Sequence, residues 1–125
     1  MPIEISIDKT RNLLTATMVG SVSVDSFIHA LEAALQEEPD FPAGFSALID
    51  LREAVHGASS DDIGNLADYL AHEPRLVGSK GAIVVTTTVT YGLMRMLQMH
   101  TDGAPMTMSV FYEMDEAERW LGLAS

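Results

Sequence analysis

The chain has 125 residues, a formal net charge of −11 and no cysteine, with 47% apolar and 20% charged residues. These values suit a single domain over residues 1–125 with one hydrophobic core, and they are not those of a disordered chain. Disulfides, thiolate chemistry and cysteine-ligated zinc or iron–sulfur sites are excluded.

Ile3, Ile5 and Ile7 alternate with Glu4, Ser6 and Asp8, the period of a half-exposed strand. A polar turn, "KTRN", leads to a second strand over Leu13 to Val19, and so short a connection predicts an antiparallel hairpin. Gly20 breaks that strand. Ser23 is placed to cap a helix carrying Val24, Phe27, Ile28, Leu31 and Leu35 at helical spacing. Pro39, Pro42 and Gly44 end it. The apolar run Phe45 to Leu51 reads as a strand covered on both faces, and "REAVHGA" after it as a loop.

Ser59 and Asp62 have the spacing of a capping box, followed by Ile63, Leu66, Ala67 and Leu70 on one helical face. Pro74 and Gly78 stop this second helix, and "AIVV" forms the next buried strand. Thr90 or a neighbouring threonine caps a third helix that runs to about Thr101. Met106 to Phe111 is the last strand. Asp115 and Glu118 suggest another capping box for a short helix ending at Trp120, Leu121 and Gly122. The order β-β-α-β-α-β-α-β-α predicts an α/β fold. Its five-stranded mixed sheet would hold an N-terminal antiparallel hairpin and then βα units, covered by four helices.

Several stretches in this order resemble the SpoIIAA-like family, which shares the STAS fold and is related in shape to CRAL-TRIO lipid carriers. They are "DLR" at Asp50 to Arg52, "YGLMRM" at Tyr91 to Met96, "VFYEMDEAERWL" at Val110 to Leu121 and the turn "VGSVSVDSF". The resemblance implies a STAS-like fold and a module that binds a protein partner or a small ligand rather than an enzyme. In the sporulation regulators of this fold, a serine just after the third strand is phosphorylated. Here Leu51 and Arg52 stand in that place, so the serine is not carried over.

Ligands of open α/β sheets sit beyond the carboxyl ends of the parallel strands. Asp50 to Arg52, Thr86 to Tyr91 and Phe111 to Glu113 are expected to converge there. Candidate ligand-binding residues are therefore Asp50, Arg52, Thr86, Thr87, Tyr91, Gly92, Met94, Arg95 and Tyr112. Asp50 and Arg52 point the same way on a strand, and either clamp a ligand or bind loop backbone and neighbouring charge. Arg95 lies one helical turn after Tyr91, to meet a ligand carboxylate or phosphate or else an acid such as Glu113. The threonines either cap the third helix or bind an anion at its N-terminus, with Gly92 allowing close backbone approach. That helix is apolar nearly all round, with Leu93, Met94, Met96, Leu97 and Met99. Three roles stay open for it: plain core, a face for a second copy of the chain, or one wall of a hydrophobic ligand pocket.

No P-loop or G-x-G-x-x-G motif occurs, and His29, His56, His72 and His100 lack zinc spacing. Only His56 lies near the expected rim. No G-x-S-x-G elbow supports a serine nucleophile. No catalytic residue, metal or cofactor is expected. The acidic stretch between Arg11 and Arg52 is a solvated surface or a face for a basic partner, and it disfavours nucleic acid. No basic segment followed by an apolar one opens the chain, and no apolar run approaches the roughly 18 residues of a membrane span. A cytoplasmic location without stable membrane insertion is the expectation.

Overall fold

A computed structural model describes residues 2–55 and 59–123. The elements are β1 (Ile3–Asp8), β2 (Leu13–Ser21), α1 (Val24–Glu37), β3 (Ser46–Val55), α2 (Ser60–His72), β4 (Lys80–Val84), α3 (Thr88–His100), β5 (Thr107–Phe111) and α4 (Met114–Leu121). The sheet order is β1-β2-β3-β4-β5. β1 runs antiparallel to β2, and β2 through β5 are mutually parallel.

Strand order dictates the layering. Successive parallel strands are added in one direction, and crossovers of one hand then place every connecting helix on the same face. Accordingly the buried residues of α1, α2 and α3 join one large cluster with Leu14, Ala16, Ile83 and Val110. Only α4, which follows the edge strand, lies on the other face, where Ala117 packs with Leu13, Leu48, Ala82 and Val84. The period of two along β2 and β4 explains why neighbours such as Leu13 and Leu14, or Ile83 and Val84, fall into different clusters.

Local chemistry fixes the ends. Ser23 accepts a hydrogen bond from Ser26 N and caps α1. Ser59 and Asp62 form both bonds of a capping box on α2. The carbonyls at the end of α1 find their donor far along the chain. Arg75 donates to Leu35 O at 3.0 Å, and to Glu38 O and Phe41 O at 2.9 Å each. Lys9 meets Glu38 at 2.6 Å and Asp40 at 3.1 Å, an exposed pairing of small energetic weight.

The structure corrects the sequence reading at β3 and α4. β3 does not end at Leu51: Arg52 to Val55 continue it, because β2 shifts register between Thr17 and Val19 and then pairs Val19, Gly20 and Ser21 with Glu53, Ala54 and Val55. The cap of α3 is a neighbouring threonine, as expected: Thr87, whose side chain accepts from Thr90 N. α4 has no capping box. Glu113 is its N-cap without a side-chain bond, so Asp115 lies inside the first turn, where its charge favours the positive helix end.

Candidate functional site

The parallel register brings the strand tips to one edge, as the sequence predicts. Thr86 Oγ1 donates to Arg52 O at 3.2 Å, tying the tip of β4 to β3, and Val85 N donates to Phe111 O at 2.9 Å, tying it to β5. Tyr91 at the start of α3 stacks on Tyr112 just beyond β5, with ring centroids 4.7 Å apart and planes at 7°.

Most of the charged and polar candidates at this rim are already engaged. Arg52 forms a two-bond pair with Asp50, Nε to Oδ1 at 3.0 Å and Nη2 to Oδ2 at 2.9 Å, and its backbone N–H bonds the same carboxylate. Asp50 and Arg52 thus bind each other, an arrangement that satisfies both charges without a ligand. Arg95 donates to Gln98 on its own helix at 3.0 Å, not to Glu113. Thr87 caps α3 and bonds Thr90 Oγ1 at 2.9 Å. Gly92 faces open space, where a Cβ would meet nothing within 4 Å. His56 lies outside the described residues. Among the described residues, no three histidine or acidic side chains cluster to hold a metal ion.

The Arg52 guanidinium holds the Asp50 carboxyl below its ordinary range, chiefly through their hydrogen bond, against an opposing effect of partial burial. A depressed carboxylate contributes stability that is present above its unfolded value of about 4 and is lost as pH falls through the lower folded value. Urea titrations of wild type and Asp50→Asn are therefore expected to differ at pH 7 and to converge as the pH is taken well below 4. A gap that stays constant with pH would contradict this assignment.

Behind the rim lies a feature of a different kind. A cavity of about 150 Å³ separates the sheet from α1, α2 and α3. The register explains it. Leu14, Ala47, Gly81 and Met108 form one row across β2 to β5, and all four line the cavity. The middle of that row carries a methyl group and a hydrogen where its flanks carry Leu and Met. The sheet therefore has a trough at its centre, roofed by Ile63, Leu66 and Leu70 of α2. Val22, Val24, Leu51 and Thr90, all half-buried, border it at the strand-tip edge, whereas Leu76, Ser79 and Met106, all buried, border it at the other. Among the described residues, only Ser23, Ser79 and Thr90 bring a polar residue to the lining.

Of the nine residues singled out from sequence, only Met94 lines this cavity; Asp50, Arg52, Thr86, Thr87, Tyr91, Gly92, Arg95 and Tyr112 do not. Leu93 and Leu97 join Met94 from α3, so that helix does form one wall, together with part of the core. The contributions of β2, α1 and α2 were not anticipated. Two small residues at the same level of adjacent strands were the available signal, but it is readable only once the strands are in register.

No family model and no curated protein matches the chain. Among solved structures, it is similar to an uncharacterised protein of the DUF3478 family with a SpoIIAA-like fold from Shewanella loihica PV-4. The two share 21% sequence identity over 95% of this chain and 93% of that chain, with a TM-score of 0.60. The chain thus has a SpoIIAA-like fold, the architecture implied by the order of its motifs. No helix among the described residues is long and apolar enough to cross a membrane.

Proposed function

We propose that this chain is a non-catalytic, cytoplasmic binding module that holds a small apolar molecule between the sheet and the helices. The observation that carries this reading is the cavity. At the roughly 24 cal/mol per Å³ of an enclosed cavity, an empty apolar space of about 150 Å³ would cost at most about 4 kcal/mol of stability, and less where it opens to solvent. That is a large share of the 5–15 kcal/mol typical of a domain. A ligand that fills the space restores lost dispersion contacts and removes its own apolar surface from water. An apolar space of comparable volume admits small hydrocarbons. The rim contributes less, because Asp50 and Arg52 bind each other and Arg95 bonds Gln98.

An amide-resolved NMR titration of the protein with toluene tests the reading. Saturable shifts are expected at Ala47, Gly81, Ile63 and Met94. Absence of saturable shifts, or shifts confined to Tyr91 and Tyr112, would reject the cavity as a binding site. Native mass spectrometry of freshly purified protein offers a second check, with a retained small mass as the expected result.

A second reading, a homo-oligomer or protein partner seated on α3, draws support from the helix's outward side. Val89, Gly92, Met96 and Met99 recur there at helical spacing, with Val89 58% and Met99 71% exposed. Light scattering of wild type and Met99→Glu separates the two. A dimer that the substitution dissociates would favour this face.

A further inference from the structure

The polar groups around the cavity are few, and one of them has no partner. Ser79 is 2% exposed, and its hydroxyl is buried without a hydrogen bond. Its backbone is satisfied, since the N–H donates to Leu76 O at 3.0 Å and the carbonyl accepts from Thr107 N at 2.9 Å. The side chain continues the alternation of β4, so Ser79, Gly81 and Ile83 all lie on the cavity side and all line it. Gly81 puts no side chain between Ile83 and Ser79. Met106 and Met108 border this inner end, and their flexible thioethers can adapt to an occupant.

Among the described residues, the other buried hydroxyl without a hydrogen-bond partner is Tyr69 Oη, which makes a useful contrast. Tyr69 does not line the cavity. Burial first, and then the carboxylates of Glu73 and Glu32, push its ionisation well above the ordinary tyrosine range. It has acidic groups within electrostatic reach, and Ser79 has only an apolar chamber.

A buried hydroxyl with nothing to bond is unfavourable, and such groups are almost always satisfied. Resting on the reading of the cavity as a ligand site, we propose that the ligand class is an apolar molecule bearing one hydrogen-bonding oxygen. An alcohol, phenol or ketone would enter with that oxygen against Ser79 Oγ and its apolar body along the Ala47–Gly81 trough. A charged head is disfavoured at this inner end, which offers one neutral hydroxyl and no counter-charge to a desolvated ion. Ser79 would thus set both orientation and specificity, since a site built to bond an oxygen discriminates against the analogue that lacks it.

The test compares toluene and phenol, which differ by a methyl for a hydroxyl, on wild type and Ser79→Ala. Calorimetric or NMR titration is expected to show phenol losing about tenfold in affinity on the substitution, while toluene is unchanged within about twofold. The melting temperature of Ser79→Ala without ligand should stay the same or rise, because an unbonded hydroxyl has been removed. Equal effects on both compounds, or none on either, would overturn the assignment of Ser79 and leave the cavity reading standing. Such a result would follow if a single buried water already satisfies the hydroxyl. A melting temperature lowered by more than about 3 °C would also overturn it, by revealing an internal partner for Oγ. Failure of toluene to bind the wild type would instead reject the cavity reading itself.

Discussion

Phe45→Ala is expected to lower the unfolding free energy by about 3–5 kcal/mol. Phe45 is wholly buried, its ring lies 4.8 Å from that of Phe41, and it lines the cavity. It enters the sheet just before β3, at a level where Ala47 and Gly81 already leave space. The void left by the ring adds to one that exists, so neighbours have little means of collapsing onto it, which puts the loss toward the upper end of the range. Urea denaturation with an unchanged slope is the measurement. The cavity reading adds a second expectation. A ligand that binds the native state alone stabilises by about 2.7 kcal/mol at a hundredfold excess over its dissociation constant, so toluene should recover much of the loss. A variant that loses less than about 1 kcal/mol would mean that the site repacks freely and that the space around it is not held open by the sheet.

The sequence displayed the architecture well because its signals are local. Alternation of Ile3, Ile5 and Ile7, the cap at Ser23, the capping box at Ser59 and the apolar strand before Asp50 each depend on residues within a few positions of one another. What the sequence left out at β3 and at the cap of α3 has a different origin. β3 continues through Arg52 and Glu53 because β2 bulges opposite it, and nothing within "REAVHGA" reports an event on another strand. Any of several adjacent threonines can cap α3. The choice of Thr87 follows from where the ladder of β4 ends at Val84, which is a property of the sheet. The candidate site divides in the same way. Rules about strand tips located the rim correctly, yet could not see that Asp50 and Arg52 satisfy each other. The cavity depends on Ala47 lying beside Gly81, a pairing across 34 positions that only the parallel register creates. Ser79, directly after Gly78, carries no local signal of its own.

Gly81→Val is expected to abolish toluene binding, with affinity down by at least tenfold, while raising the melting temperature by about 4 °C. The two effects have one cause. Gly81 is a strand residue without a positive φ, and a Cβ added there would meet its nearest neighbour, Met108 Cγ, only at 3.9 Å. The backbone and the surroundings therefore accept a side chain. Valine favours the strand, reduces the freedom of the unfolded chain, and buries methyl groups worth about 0.8 kcal/mol each in space that was vacant. Net stabilisation of about 1 kcal/mol corresponds to the expected shift in a domain of this size. The same methyl groups occupy the centre of the trough, where a ligand's body would lie. Loss of binding alone could come from damage to the fold; loss of binding with a gain in stability could not. The opposite pattern, with affinity retained and stability reduced, would mean that the trough is already filled in solution by its own side chains, and the row Leu14–Ala47–Gly81–Met108 would then be plain core.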